Sequence, residues 1–153
     1  MRGMEVDRNG LEILDRGECL RLLGSVSLGR IGFTSGALPS VLPVTFHLDG
    51  EHISVVIRRG SKLFAALQNA VVAFEVDDFD PICCSGWSVA VTGVASEANE
   101  ANGASHGSAG LEAGSREPAA HWAPVGEEAR LAISTEFVSG RRITARSLSM
   151  RPS

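Results

Sequence analysis

With 14 Lys and Arg set against 18 Asp and Glu over 153 residues, the chain has a net charge of −4, which suits a single domain with a real core and argues against a nucleic-acid surface, where clustered cations must face phosphates. Its apolar runs, of which Ala70 to Phe74 is among the longest, are far too short to cross a bilayer, and no apolar leader opens the chain. A cytoplasmic protein that engages neither membrane nor nucleic acid is therefore expected.

Residues 1–10 are polar and are expected to be disordered, as is the tail 147–153, leaving one domain over 11–146. The run Leu14-Asp15-Arg16-Gly17-Glu18-Cys19 has the form of a helix start, with Asp15 as N-cap and Glu18 closing a capping box. That helix carries Leu20, Leu22 and Leu23 and should stop near Gly24. Ser27 to Thr34 reads as a strand whose glycines, Gly29 and Gly32, require a bend or a close neighbour. Ser35 to Pro39 is the turn that follows.

Asp49-Gly50 between Val44–Leu48 and Glu51–Ile57 is the strongest hairpin signal in the chain. With those two residues at the turn, Leu48 pairs with Glu51, His47 with His52 and Phe46 with Ile53. One face then carries Val44, Phe46, Leu48, Ile53, Val55 and Ile57 and belongs to the core. The other carries Thr45, His47, His52, Ser54, Val56 and Arg58, a polar face fit to line a groove. Paired His47 and His52 could ligate a metal, but no third ligand is aimed at them, so no metal site is expected.

Arg58-Arg59-Gly60-Ser61-Lys62 is a basic turn before a short helix, Leu63 to Leu67, that Ser61 can cap. Cationic side chains at a helix start make a candidate anion site, the alternative being a solvated turn. Asn69 breaks the helix and Ala70 to Val76 is the next strand. Asp77-Asp78-Phe79-Asp80 lacks the glycine and spacing of a calcium loop and reads as an exposed bend. Cys19, Cys83 and Cys84 form neither a disulfide framework nor a CxxC pair. Gly86 to Ala95 is a β-branched strand. Glu97 to Glu117 is nearly devoid of large apolar side chains and is expected to be a mobile loop. Arg130 to Val138 reads as a final strand leading into Ser139-Gly140-Arg141-Arg142-Ile143, a second basic cluster with Arg146.

No Walker A loop, dinucleotide glycine fingerprint, nucleophile elbow or HExxH motif is present, and no Ser/His/Asp set suggests itself. A barrel with a phosphate-sized basic corner and no evident acid, base or nucleophile points to a bound cofactor that carries the chemistry.

Gly29-Arg30-Ile31-Gly32-Phe33, Pro43-Val44-Thr45-Phe46, Asp49-Gly50, Arg59-Gly60-Ser61-Lys62-Leu63, Gly86-Trp87-Ser88-Val89 and Ser139-Gly140-Arg141-Arg142-Ile143, in that order, resemble the pyridoxamine 5'-phosphate oxidase-like flavin-binding split-barrel proteins, over about residues 12–145. The resemblance implies a mainly β fold, a six-stranded antiparallel split barrel with a few short helices, forming a homodimer with flavin mononucleotide (FMN) at the subunit interface. It implies that Arg58 or Arg59, with Ser61 and Lys62, holds the phosphate and that the ring lies along Val44 to Phe46, Thr45 included. Trp87 and Ser88 match a segment near the flavin, and Arg141 lies in a C-terminal motif. The motifs that grip a pyridoxal substrate are missing, so the chain resembles the short members of the superfamily. The implied function is an FMN-dependent oxidoreductase acting on a small organic substrate. Alternatives are a deazaflavin-dependent reductase or a non-catalytic flavin- or haem-binding protein.

Overall fold

Helix α1 (Arg16–Leu23) starts where Asp15 accepts a 2.8 Å hydrogen bond from the Glu18 N–H and ends at Gly24. The computed structural model describes residues 4–98 and 127–145. In chain order its elements are β1 (Glu12–Leu14), α1, β2 (Leu28–Ser35), β3 (Leu38–Asp49), β4 (His52–Arg58), α2 (Lys62–Leu67), β5 (Ala70–Asp80), β6 (Ser85–Glu97), β7 (Glu128–Ser134) and β8 (Phe137–Ile143). No helix among the described residues is long and apolar enough to cross a membrane.

Every strand pairing is antiparallel. The ladder runs β6-β5-β2-β3-β4-β7 and returns to β6 through Ala95↔Ile133, Ser96↔Ala132 and Glu97↔Leu131, closing a six-stranded barrel. The sequence-based barrel expectation is met, and closure gives each of the six strands a ladder partner on both sides over at least part of its length. The first part of β6 pairs instead with β8, and β1 is added outside β8. Inward-facing Ile31, Ile53, Val55, Val72, Phe74, Val76, Val89, Val91, Leu131 and Ile133 fill the barrel, with Phe74 set edge-on to Phe46 at 4.8 Å. Helix α2 adds the fully buried Leu67, and α1 adds Cys19, Leu22 and Leu23 against β6 and β8.

β6 changes partner between Thr92, which pairs with β8, and Ala95, which pairs with β7. The β7–β8 connection crosses it there. A Cβ built on Gly93 would stand 2.5 Å from the Ser134 carbonyl oxygen, so only glycine fits the crossing. Gly29 is equally constrained, with the Phe74 ring 2.3 Å from where a Cβ would be.

Several sequence expectations are corrected. The single final strand is two, because the buried Thr135 leaves the ladder to donate from its N–H and hydroxyl to the Glu51 carbonyl, at 3.2 and 2.7 Å. The hairpin closes with Asp49↔His52, so Gly50 and Glu51 are the turn residues and the pairing is shifted by two. Gly50 has φ +60° while Asp49 and Glu51 are not left-handed, the pattern of a turn with glycine first rather than second. A shift of two preserves which face each side chain takes, but it separates the histidines: His47 now faces Ser54 and His52 faces Asp49. No group of three metal-ligating side chains occurs among the described residues. Asp77 to Asp80 are strand rather than bend, paired as far as Asp80↔Ser85. Glu18 does not reach back to close a capping box. Hydrogen bonds from Arg21 and the charge of Arg142 engage its carboxylate and hold it down to a pKa of about 2. The stretch read as a mobile loop lies, apart from Glu97, which ends β6, and Ala98, outside the described residues.

Candidate functional site

β3 and β4 are hydrogen-bonded to each other only over Phe46–Asp49 and His52–Val55. Beyond that point β3 continues beside β2 and β4 beside β7, so the barrel wall opens into a split. The split holds a cavity of about 540 Å³, within the range of small-molecule sites. One wall is Leu28 of β2 with Pro43, Val44 and Thr45 of β3. The other is Val56, Ile57 and Arg58 of β4, and Ser61 and Leu63 close one end. The lining is largely apolar with few polar groups, and the backbone edges of β3 and β4 that face the split have no ladder partner there.

The polar end is built by the chain's own local rules. Gly60, at φ +79°, turns the chain out of β4, and Ser61 caps α2, its hydroxyl oxygen accepting from the Phe64 N–H at 3.0 Å. That leaves the Ser61 O–H proton free to be donated. With only six residues, α2 has little macrodipole, so anion affinity here falls to side chains and to the unpaired N–H groups of its first turn.

Among the described residues, Arg16, Arg21, Arg30, Arg59, Arg141 and Arg142 each form an ion pair with a carboxylate. Arg8, Arg58, Lys62 and Arg130 form none, and two of these four, Arg58 and Lys62, stand at the polar end of the split. An unneutralised cation beside an apolar cavity is what an anionic ligand requires.

The predicted site residues divide into three groups. Thr45, Arg58 and Ser61 line the cavity. Arg59 and Lys62 flank it without lining it. Arg59 turns away to Glu97 and Glu127 and lies over the Phe64 ring at 5.5 Å, the Glu97 contact raising its pKa. Lys62 is exposed. Trp87, Ser88 and Arg141 lie in the β6–β8 part of the sheet, away from the split, where Trp87 packs against the core and is paired with Asp78 and Arg142, and Ser88, on the opposite face, is paired with Asp77 and Arg141. Arg141 there donates to Asp7 at 2.9 Å. Sequence reasoning missed Leu28 and Leu63, since nothing in the sequence says which apolar side chains border an opening rather than a core.

Comparison with known proteins bears on this geometry. The model of the family described as pyridoxamine 5'-phosphate oxidase matches residues 15–148. The uncharacterized protein Rv0080 of Mycobacterium tuberculosis is 38% identical over 139 residues, covering 86% of this chain and 85% of that protein. The structure of the FAD-binding protein from Mycobacterium smegmatis is similar with a TM-score of 0.64 and 29% identity, over 86% of this chain and 97% of that one. A conserved protein of unknown function from Corynebacterium diphtheriae, DIP1874, gives 0.63 and 30%, over 88% and 98%.

Proposed function

Because the chain belongs to the pyridoxamine 5'-phosphate oxidase family, as one of its short members, we propose that it binds a flavin in the split between β3 and β4 and serves as an FMN-dependent oxidoreductase for a small organic substrate. The observation that carries this reading is the cavity itself: apolar walls, open strand edges, and an uncommitted Arg58 and Ser61 at one end. A planar apolar ring with polar rims suits such walls, and a phosphate suits such an end. A bound flavin supplies hydride or electron transfer, which accounts for a site without a resident acid, base or nucleophile.

The chain's own residues then have separable tasks. Arg58 offers a forked guanidinium to the phosphate and Ser61 donates its hydroxyl proton. Lys62, one residue further, adds a screened charge. Leu28, Val44 and Val56 exclude water from the ring, and Thr45 offers a hydroxyl at its edge. Arg59 positions the turn by its ion pairs instead of touching the ligand.

The homodimer belongs to the same proposal. Trp87, Ser88 and Arg141 can serve a flavin only across a subunit interface, since β2 and β5 separate them from the split within one chain. The outward face that carries Ser88 and Arg141 also carries a row across five strands, Val41, Gly32, Ala73, Thr92 and Phe137, each in register with the next. Val41 and Phe137 at its ends are 65% and 69% exposed. A flat face of small side chains between exposed apolar ones fits a second copy of the same face.

The visible absorption spectrum of the purified protein, with its released cofactor identified by mass, tests the proposal. Flavin bands and FMN are expected. FAD would establish the second reading, which the Mycobacterium smegmatis relative favours. A colourless protein that takes up neither added FMN nor added FAD would overturn both.

A further inference from the structure

Glu75 stands at the middle of the face that the homodimer reading gives to a second copy. β5 is the central one of the five strands of that face, between β2 and β3 on one side and β6 and β8 on the other. Glu75 is in register with Arg30 and Pro43 in one direction and with Ala90 and Ser139 in the other, one row away from the Val41-to-Phe137 row. Charge is sparse on this face, and what there is does not balance. A single nitrogen of Arg30, Nη1, stands 3.5 Å from Glu75 Oε2 and 3.5 Å from Asp77 Oδ1, so two carboxylates share one cation. Arg141, two strands from Asp77 across Ser88, is committed to Asp7 at 2.9 Å. No other charged side chain among the described residues faces Glu75: β6 presents Ala90 and Ser88, β3 presents Pro43 and β8 presents Ser139.

The surroundings of the two carboxylates differ. The Glu75 side chain is 35% exposed against 52% for Asp77. Burial, and then the charge of Asp77, hold the Glu75 carboxyl above its ordinary value, and Arg30 offsets only part of this. A second copy laid on the face removes the remaining water and brings its own set of one arginine and two carboxylates, with the same excess of negative charge. An enclosed carboxylate without a cation of its own is neutralised by taking up a proton rather than kept charged.

We propose that assembly of the homodimer is coupled to protonation of Glu75, one proton per copy, which makes the outer face a pH-sensitive switch for the dimer and for the flavin site that the dimer completes. This rests on the homodimer reading above. Glu75 then keeps its proton to a higher pH in the dimer than in the free chain, so association strengthens as the pH falls through the interval between the two states and weakens as it rises through that interval. With two protons per dimer, the dissociation constant changes by up to about a hundredfold per pH unit there.

Sedimentation of the full chain at a series of pH values from about 8 to about 5, for the wild type, Glu75→Gln and Asp77→Asn, tests this. The wild-type dimer is expected to tighten about tenfold or more as the pH falls. Glu75→Gln, neutral at every pH, is expected to be a tight dimer throughout, and Asp77→Asn, which leaves Arg30 and Glu75 as a balanced pair, to show a reduced dependence. A wild-type dimer whose dissociation constant does not change with pH overturns the switch and leaves the homodimer reading intact, as does a Glu75→Gln dimer that keeps the full wild-type dependence. A chain that is monomeric at every pH in all three proteins overturns the homodimer reading and the switch with it. If Glu75→Gln melts lower than the wild type, Asp77→Asn takes its place, and an undiminished dependence in that variant overturns the switch.

Discussion

Arg58 and Arg59 are neighbours in sequence with opposite fates. Arg58 points into the split and forms no ion pair, whereas Arg59 is spent on Glu97 and Glu127. The reason is strand alternation at the end of β4 together with acidic residues at the end of β6 and just before β7, which reach one arginine and not the other. Arg58→Ala is expected to weaken flavin binding by about 1.5–3 kcal/mol, the range for a hydrogen bond to a charged group. Arg59→Ala is expected to leave the dissociation constant nearly unchanged. Fluorescence titration of both variants with FMN decides between them, and equal losses would put Arg59 back into the site. At this scale the sequence supplied the candidates, since a cluster of cations before a serine cap is visible in it. It could not assign them, because Glu97 and Glu127 are distant in sequence from Arg59.

Among the elements, β6 shows how one strand serves two ladders. Its first part extends the sheet through β8 and its end closes the barrel through β7, with Gly93 at the changeover. Gly93→Ala would push a methyl group against the Ser134 carbonyl, 2.5 Å from its ideal position. Backbone on both sides can yield only by breaking register, so a loss of about 1–3 kcal/mol is expected, the usual cost of overpacking. A urea denaturation midpoint lowered accordingly, with an unchanged slope, would bear this out. The same crossing explains why the run 130–138 read as one strand. Its residues keep β propensity throughout, and only the hydrogen bonds of Thr135 to the distant Glu51 carbonyl show that the chain leaves one ladder and enters another.

For the molecule as a whole, the outer face that runs from β3 to β8 is where the proposed site and the proposed dimer contact meet. Leu28 and Thr45 at the cavity mouth are on the same side of the sheet as the Val41-to-Phe137 row. Phe137→Asp places a charge in the exposed end of that row without touching the core. On the homodimer proposal it is expected to shift the protein from dimer to monomer in sedimentation and to weaken flavin binding in parallel, since residues from a second copy would then complete the site. A monomeric variant with full flavin affinity would show that one chain suffices.

The sequence by itself determined most of the elements, the faces they present and the family, but not where β5 ends or that the last strand is two. Period-two alternation, Gly50, the Asp15 and Ser61 caps and the ordered motifs are local properties written into neighbouring residues. Even the misplaced hairpin register kept every side chain on its proper face, since a shift of two cannot do otherwise. Tertiary structure decided the rest: where β3 parts from β4, which arginines are neutralised and which are left facing the split, and that Arg30 comes to be shared by Glu75 and Asp77. Those outcomes depend on which distant strands a closed barrel brings side by side, and pairing between residues far apart in sequence leaves no mark on the sequence around either one.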